Sequence, residues 1–121
     1  MVNRDVLHNI YESLLELSRK DLQIDRWLSG KNGRISGYGE FMNTLFDDCD
    51  FDLFVDKEVY DLRLTDEFIK ELRIVRDSLN SYDEGRKTRE EIIEDPSWAK
   101  IRKQSKKVVK FWNVEIEERS G

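Results

Sequence analysis

The chain has 121 residues, of which 39% are charged and 38% hydrophobic, and its formal net charge at pH 7 is −5. This length suits one compact domain with a core, and the three Trp, four Tyr and six Phe argue against general disorder. The negative charge disfavours nucleic acids and anionic membranes as partners, and the single cysteine excludes a disulfide framework and a Cys-rich zinc site.

The first half of the chain predicts three helices. Apolar residues at three- and four-residue steps indicate an amphipathic helix over 5–19. A short helix is expected over 22–28, with Asp21 as its N-cap. After a glycine-rich loop at 30–39, helical spacing returns and predicts a third helix from about Glu40 onwards.

The glycine-rich loop is predicted to be structural. Its four glycines indicate tight turns in which the backbone adopts positive φ. The pattern matches neither G-x-G-x-x-G nor G-x-x-x-x-G-K-[ST], and no clear strand precedes it. A turn-rich loop is therefore favoured over a phosphate-binding loop.

The second half of the chain carries three helix start signals. Thr65 is expected to cap a long helix whose apolar residues form a continuous seam. Thr88 and Glu91 have the spacing of a capping box. Asp95 and Pro96 have the residue types of an N-cap followed by the first helical position.

The stretch 47–61 is the most unusual part of the chain, because it combines dense negative charge with bulky apolar residues. A solvated acidic tail would lack the aromatics, and a buried strand would not carry the charges. One face is therefore expected to pack on the core while the other presents carboxylates to water. The carboxylates are Asp47, Asp48, Asp50, Asp52, Asp56, Glu58 and Asp61.

This acidic stretch fails the pattern of a calcium loop. Asp48, Asp50 and Asp52 occupy the first, third and fifth positions. However, Leu53 replaces the required turn glycine, and Val59 replaces the bidentate glutamate. We therefore predict no metal ion, and no other cofactor.

No residue pattern indicates catalysis. Seven acids in a row give no reason to prefer one pair as acid and base, and such a pair needs a cleft that separates the two pKa values. His8 is the only histidine, and it lies beside the apolar stripe of the first helix. The expectation is a protein that is not an enzyme.

A basic run follows Trp98. A solvated helix face is one interpretation, a surface for acids of the same domain or of a partner is another, and nucleic-acid binding by a regulator is a third. No base-reading side chain accompanies the cations, so we do not predict nucleic-acid binding. The cations are Lys100, Arg102, Lys103, Lys106, Lys107 and Lys110.

A set of turn glycines, helix-start residues and packed aromatics recurs in a fixed order over about 20–112: Gln23, Trp27, Leu28, Gly30, Gly37, Tyr38, Gly39, Asp66, Glu67, Asp95, Pro96 and Trp98. This order resembles that of a family of small bacterial helical proteins. The resemblance implies a helical fold and relatedness to immunity proteins of polymorphic or contact-dependent growth inhibition toxins. No catalytic residue carries over.

The predicted fold is a mainly α single domain over 1–121, a bundle of about five helices with a frayed tail at 115–121. Residues 51–62 are left open between helix and strand, with a short extended segment near 51–64 as one alternative. The expected core is Leu7, Ile10, Leu14, Trp27, Phe41, Leu45, Leu72, Val75, Leu79, Trp98, Ile101 and Val108.

The predicted function is that of an immunity protein, which neutralises a cognate toxin domain by contact through its acidic surface. A nuclease with a basic cleft fits as the toxin, because opposite charges speed association. The alternatives are an adaptor for another basic protein and the nucleic-acid-binding regulator. We expect a cytoplasmic monomer that pairs with the toxin and contacts no membrane. The expected partner-binding residues are Asp47, Asp48, Asp50, Asp52, Phe54, Asp56, Glu58, Tyr60 and Asp61, with Phe51 as a further aromatic anchor.

Overall fold

The computed structural model describes residues 4–29 and 37–117. Within these ranges it contains seven helices and no strand, which confirms the mainly α prediction. Several helices include wider π-helical turns. The helices are α1 (Arg4–Ser18), α2 (20–29, with π-helical Ile24–Ser29), α3 (38–48, with π-helical Asn43–Asp48), α4 (51–61, with π-helical Phe54–Glu58), α5 (Asp66–Ser81), α6 (Arg89–Glu94) and α7 (Pro96–Trp112, followed by π-helical Asn113–Glu117).

The three predicted start signals in the second half of the chain are confirmed. The Thr65 hydroxyl accepts a hydrogen bond from the Phe68 backbone N–H at 3.3 Å. Thr88 and Glu91 form both bonds of a capping box. The Asp95 carboxylate accepts from the backbone N–H two residues later at 3.0 Å. Each bond satisfies an amide that has no partner inside the helix.

The predicted cap of α2 is wrong. The helix begins at Lys20, so the N-cap position is Arg19, and no side chain caps it. Asp21 lies in the first turn, where its Oδ2 accepts a hydrogen bond from Arg19 Nη2 at 2.6 Å. A carboxylate in the first turn still interacts favourably with the positive end of the helix.

Residues 51–61 are helical, so the extended segment considered near 51–64 is not formed. Asp50 adopts a left-handed conformation, with φ of 50°, which separates α3 from α4. Phe51, Phe54, Val55 and Val59 are all buried, and their spacing is that of one helix face. Packing of this face against the core selects the helix over the strand.

The glycine prediction is wrong at the two glycines of the loop that the structure describes. Gly37 is extended, with φ of −177°, and Gly39 lies inside α3. Neither has positive φ. A Cβ on Gly37 would lie 2.8 Å from Arg89 Nε, whereas one on Gly39 would meet no atom within 4 Å. Residues 30–36 lie outside the described ranges.

The core forms around α7, which packs against both α1 and α5. Helices α1 and α7 run antiparallel, since the Tyr11 and Trp112 rings lie 5.8 Å apart and Ser105 Oγ donates to the Leu14 carbonyl at 2.8 Å. Of the twelve predicted core residues, only Leu7 is not fully buried. It packs against the edge of the cluster.

Gln23 is a buried polar residue at the junction of three helices. Its Nε2 donates to the Glu16 and Leu17 carbonyls of α1 at 3.1 and 2.9 Å. Its Oε1 accepts from Trp98 Nε1 of α7 at 3.1 Å. The side chain therefore satisfies carbonyls near the end of α1 and the indole N–H of a buried tryptophan.

The first three residues of the segment predicted to fray, 115–117, continue the C-terminal helix. Glu115 is buried, and its carboxylate accepts a hydrogen bond from the Thr65 hydroxyl. The π-helical turns of Asn113–Glu117 carry it there. Residues 118–121 lie outside the described ranges.

Candidate partner-binding surface

The predicted partner-binding residues extend from the end of α3 to the end of α4. Asp47 and Asp48 occupy the last turn of α3, and Asp50 lies in the break between the helices. The remaining six lie along α4. The exposed members of the set are Asp47, Asp48, Asp50, Asp52, Asp56, Tyr60 and Asp61.

Phe54 is not a surface anchor. Its side chain has no exposed area, and its ring lies 5.8 Å from Trp112 and 6.4 Å from Phe51. Phe51 is equally buried. Both aromatics belong to the helix face that packs on the core, which is why the acidic stretch is rich in them.

Glu58 is also unsuited to a surface role, because it is half-buried. Its Oε2 is inaccessible to solvent and accepts no hydrogen bond from any described residue. Of the nine predicted residues, seven therefore remain available for contact with a partner.

Asp52 and Asp56 are paired within the protein. Arg76 of α5 places Nη1 3.3 Å from Asp52 Oδ1 and 2.9 Å from Asp56 Oδ1, while its Nε binds Asp77 at 2.7 Å. The Arg76 side chain is only 13% exposed. Burial alone would lower the pKa of Arg76, but the hydrogen bonds to Asp77 and Asp56 outweigh burial and raise it. Through Arg76, Asp52 and Asp56 link α4 to α5.

Tyr60 is exposed and is contacted by a second arginine of α5. Arg73 Nη2 donates to the Tyr60 hydroxyl, and the guanidinium carbon lies 5.9 Å from the ring centre. Tyr60 remains 53% exposed. It is thus the one predicted aromatic anchor that the fold leaves on the surface.

Three carboxylates at the turn from α3 to α4, Asp47, Asp48 and Asp50, form what we call the acidic corner. All three are exposed, and none forms an ion pair with a residue in the described ranges. Asp47 and Asp48 lie at the C-terminal end of α3, where the helix dipole disfavours negative charge. The charges of Asp47 and Asp48 are therefore electrostatically unfavourable in the free protein.

Leu53 is an apolar surface residue next to the acidic corner that the sequence did not single out. It is 37% exposed, because it lies off the buried face of α4. The signal is its register: positions 51, 54, 55 and 59 define the core face, and position 53 falls outside it. Leu53 offers an apolar contact beside the carboxylates.

Cys49 lies between Asp48 and Asp50 and is a buried free thiol. Burial raises the pKa of this thiol, and the neighbouring Asp48 charge raises it further. The protonated thiol is inert compared with a thiolate. The cysteine supports packing beneath the acidic corner.

The basic run after Trp98, like the acidic stretch, contains both a side chain bonded within the fold and side chains exposed to solvent. Arg102 is half-buried, and its Nη2 donates to the Ile93 carbonyl at 2.8 Å. Burial lowers the pKa of Arg102, although nearby Glu94 opposes this effect. The exposed cations all lie on the side of α7 opposite its buried residues, and we call them the lysine face: Lys100, Lys103, Lys106, Lys107 and Lys110.

Among residues 4–29 and 37–117, no three His, Cys, Asp or Glu side chains are grouped so that they could hold a metal ion. No helix in these ranges has the length and apolar character needed to cross a membrane.

Comparison of the chain with protein families, curated proteins and solved structures found no match. The resemblance to immunity proteins therefore stays a prediction.

Proposed function

We propose that this protein is an immunity protein that binds a toxin domain through the acidic corner and thereby neutralises it. The observation that carries the proposal is the acidic corner, whose three exposed carboxylates have no ion-pair partner among the described residues and two of which, Asp47 and Asp48, end α3. A basic partner would offset both the mutual repulsion of these carboxylates and the unfavourable position of Asp47 and Asp48 on the dipole of α3. A nuclease fits this requirement, because its cleft binds phosphate.

The fold supports a contact surface of mixed character at this position. Asp47, Asp48 and Asp50 supply the charge that speeds the encounter, and Leu53 supplies an apolar contact. Tyr60 lies further along α4 and extends the surface. Steering depends on the summed charge, whereas affinity depends on a few desolvated side chains, so both kinds of residue are needed.

The test uses two double reversals that change the net charge equally. Asp47→Lys/Asp48→Lys alters the corner, and Glu84→Lys/Glu90→Lys alters exposed acids elsewhere. Each acid-to-lysine substitution makes the net charge more positive by two, and each variant carries two substitutions, so both variants change from −5 to −1. Association with the toxin domain encoded beside the protein is measured by biolayer interferometry at several salt concentrations, and protection is measured in cells producing that toxin.

We expect the corner variant to associate at least about tenfold more slowly than the Glu84/Glu90 control and to lose protection. Its melting temperature should not fall, because lysine suits a helix C-terminus. Equal rates for the two variants would place the interface elsewhere. No binding and no protection by the unmodified protein would reject the immunity function.

A further inference from the structure

A groove with a volume of about 450 Å³ lies between the start of α5 and the end of α7. Its apolar part is formed by Phe111, whose ring lies 6.0 Å from Phe68 of the core, and by Val114, which is 56% exposed. Val114 is the most exposed of the large hydrophobic residues in the described ranges. The groove is large enough for an apolar side chain of a ligand.

Charged residues of both signs line the groove. Lys107 and Lys110 come from α7, and Glu67 comes from the first turn of α5. Glu115 also lines it, but this carboxylate is buried and bonded to Thr65. The exposed charges at the groove are therefore two positive charges on the α7 side and one negative charge on the α5 side.

The lysine face continues from the groove towards the start of α7. Lys100, Lys103 and Lys106 extend it, so that five cations span roughly 15 Å of helix, at 1.5 Å per residue. All five are exposed, and none pairs with an acid in the described part of the chain. A row of exposed cations next to an apolar groove is complementary to a ligand with both acidic and apolar groups.

We propose that this groove and the lysine face together bind an acidic protein segment that inserts one apolar side chain. A small anionic amphiphile would occupy the groove but leave the three lysines beyond it unused. A nucleic acid would engage the lysines through its phosphates but has no apolar side chain for the groove. This surface is separate from the acidic corner and does not depend on the immunity function.

The test uses the full chain and fluorescence anisotropy at low salt. The probe is a fluorescein-labelled polyglutamate peptide with one central phenylalanine. It is compared with the same peptide carrying alanine at that position, and with duplex DNA of matched charge. We expect the phenylalanine peptide to bind at least about fivefold more tightly than the alanine peptide, because the ring enters the groove. The DNA should bind most weakly.

Three variants locate the binding site. Lys107→Gln/Lys110→Gln removes the cations beside the groove, and Val114→Asp places a charge in its apolar part. Each should weaken binding of the phenylalanine peptide by at least about fivefold, while circular dichroism at the assay temperature shows that the variant is still folded. The control Lys57→Gln/Arg86→Gln makes the same charge change as the double variant at exposed positions outside the groove and should bind normally.

Three results would overturn the proposal. Equal affinity of the phenylalanine and alanine peptides would show that the groove takes no side chain. Tighter binding of the DNA would identify a nucleic-acid surface. An equal loss of peptide affinity in the Lys57/Arg86 control would show that the loss in the groove variant comes from overall charge.

Discussion

Replacing Gln23 by methionine should destabilise the protein while preserving the volume of its core. Methionine is similar in length to glutamine but neither donates nor accepts a normal hydrogen bond. The substitution removes three hydrogen bonds of 3.1 Å or shorter, two to α1 carbonyls and one from the Trp98 indole. The expected loss therefore comes from hydrogen bonding rather than from a cavity.

The magnitude follows from which partners remain buried. The Leu17 carbonyl and Trp98 Nε1 lie in buried bonds, whereas the bond to the Glu16 carbonyl is only partly buried. Leaving a buried polar group without a partner costs about 1–3 kcal/mol. Two such groups predict a loss of about 2–6 kcal/mol, a large part of the ~5–15 kcal/mol that stabilises a typical domain.

Urea denaturation followed by circular dichroism measures this loss. Gln104→Met serves as the control, because Gln104 is a half-buried glutamine of α7 whose amide bonds Glu71 near the surface. The control should lose less than about 1 kcal/mol. If the free energy of unfolding of Gln23→Met lies within about 0.5 kcal/mol of that of the unmodified protein, the hydrogen bonds of Gln23 do not stabilise the fold.

Three further predictions separate the roles of individual carboxylates. Asp52→Asn/Asp56→Asn should lower the free energy of unfolding by about 0.5–1 kcal/mol, because Arg76 loses two partners, and a urea titration that shows no loss would contradict this pairing. Asp50→Gly should be at least as stable as the unmodified protein, whereas Asp50→Ala should lose about 1 kcal/mol, since both remove the charge but only alanine strains a left-handed backbone. The Tyr82 hydroxyl and a backbone N–H hold the pKa of Asp95 below its unfolded value, so this stabilisation is present above that value and is lost as pH falls through the folded pKa. Melting curves between about pH 2 and pH 7 should therefore show a smaller acid-induced loss for Asp95→Asn, and an unchanged profile would refute this role.

Much of the helical architecture could be predicted from local sequence, because its signals act within a few residues. Thr65, Thr88 and Asp95 are caps whose partners lie two or three positions away. The apolar spacing in 5–19 and 66–81 identifies the buried helix faces for the same reason. Eleven of the twelve core residues predicted from the sequence are buried in the structure.

The acidic stretch shows where local signals end. Alternating apolar and acidic residues fit both a strand and a helix, and only the core that receives Phe51, Phe54 and Val59 selects the helix. The same packing buries Phe54. It also brings Arg76 into contact with Asp52 and Asp56, which precede it in the sequence by 24 and 20 residues. Nothing within a few residues of these aspartates indicates that they are paired.

The sequence by itself determined the helical class, the caps, most of the core and the presence of dense acidic and basic runs. The tertiary structure decided which charges in those runs are free. Asp47, Asp48 and Asp50 remain unpaired among the described residues, as do the five members of the lysine face, whereas Arg102 is drawn into the fold. The physical reason is that pairing and burial depend on side chains brought together from distant positions, which the spacing along one helix does not record.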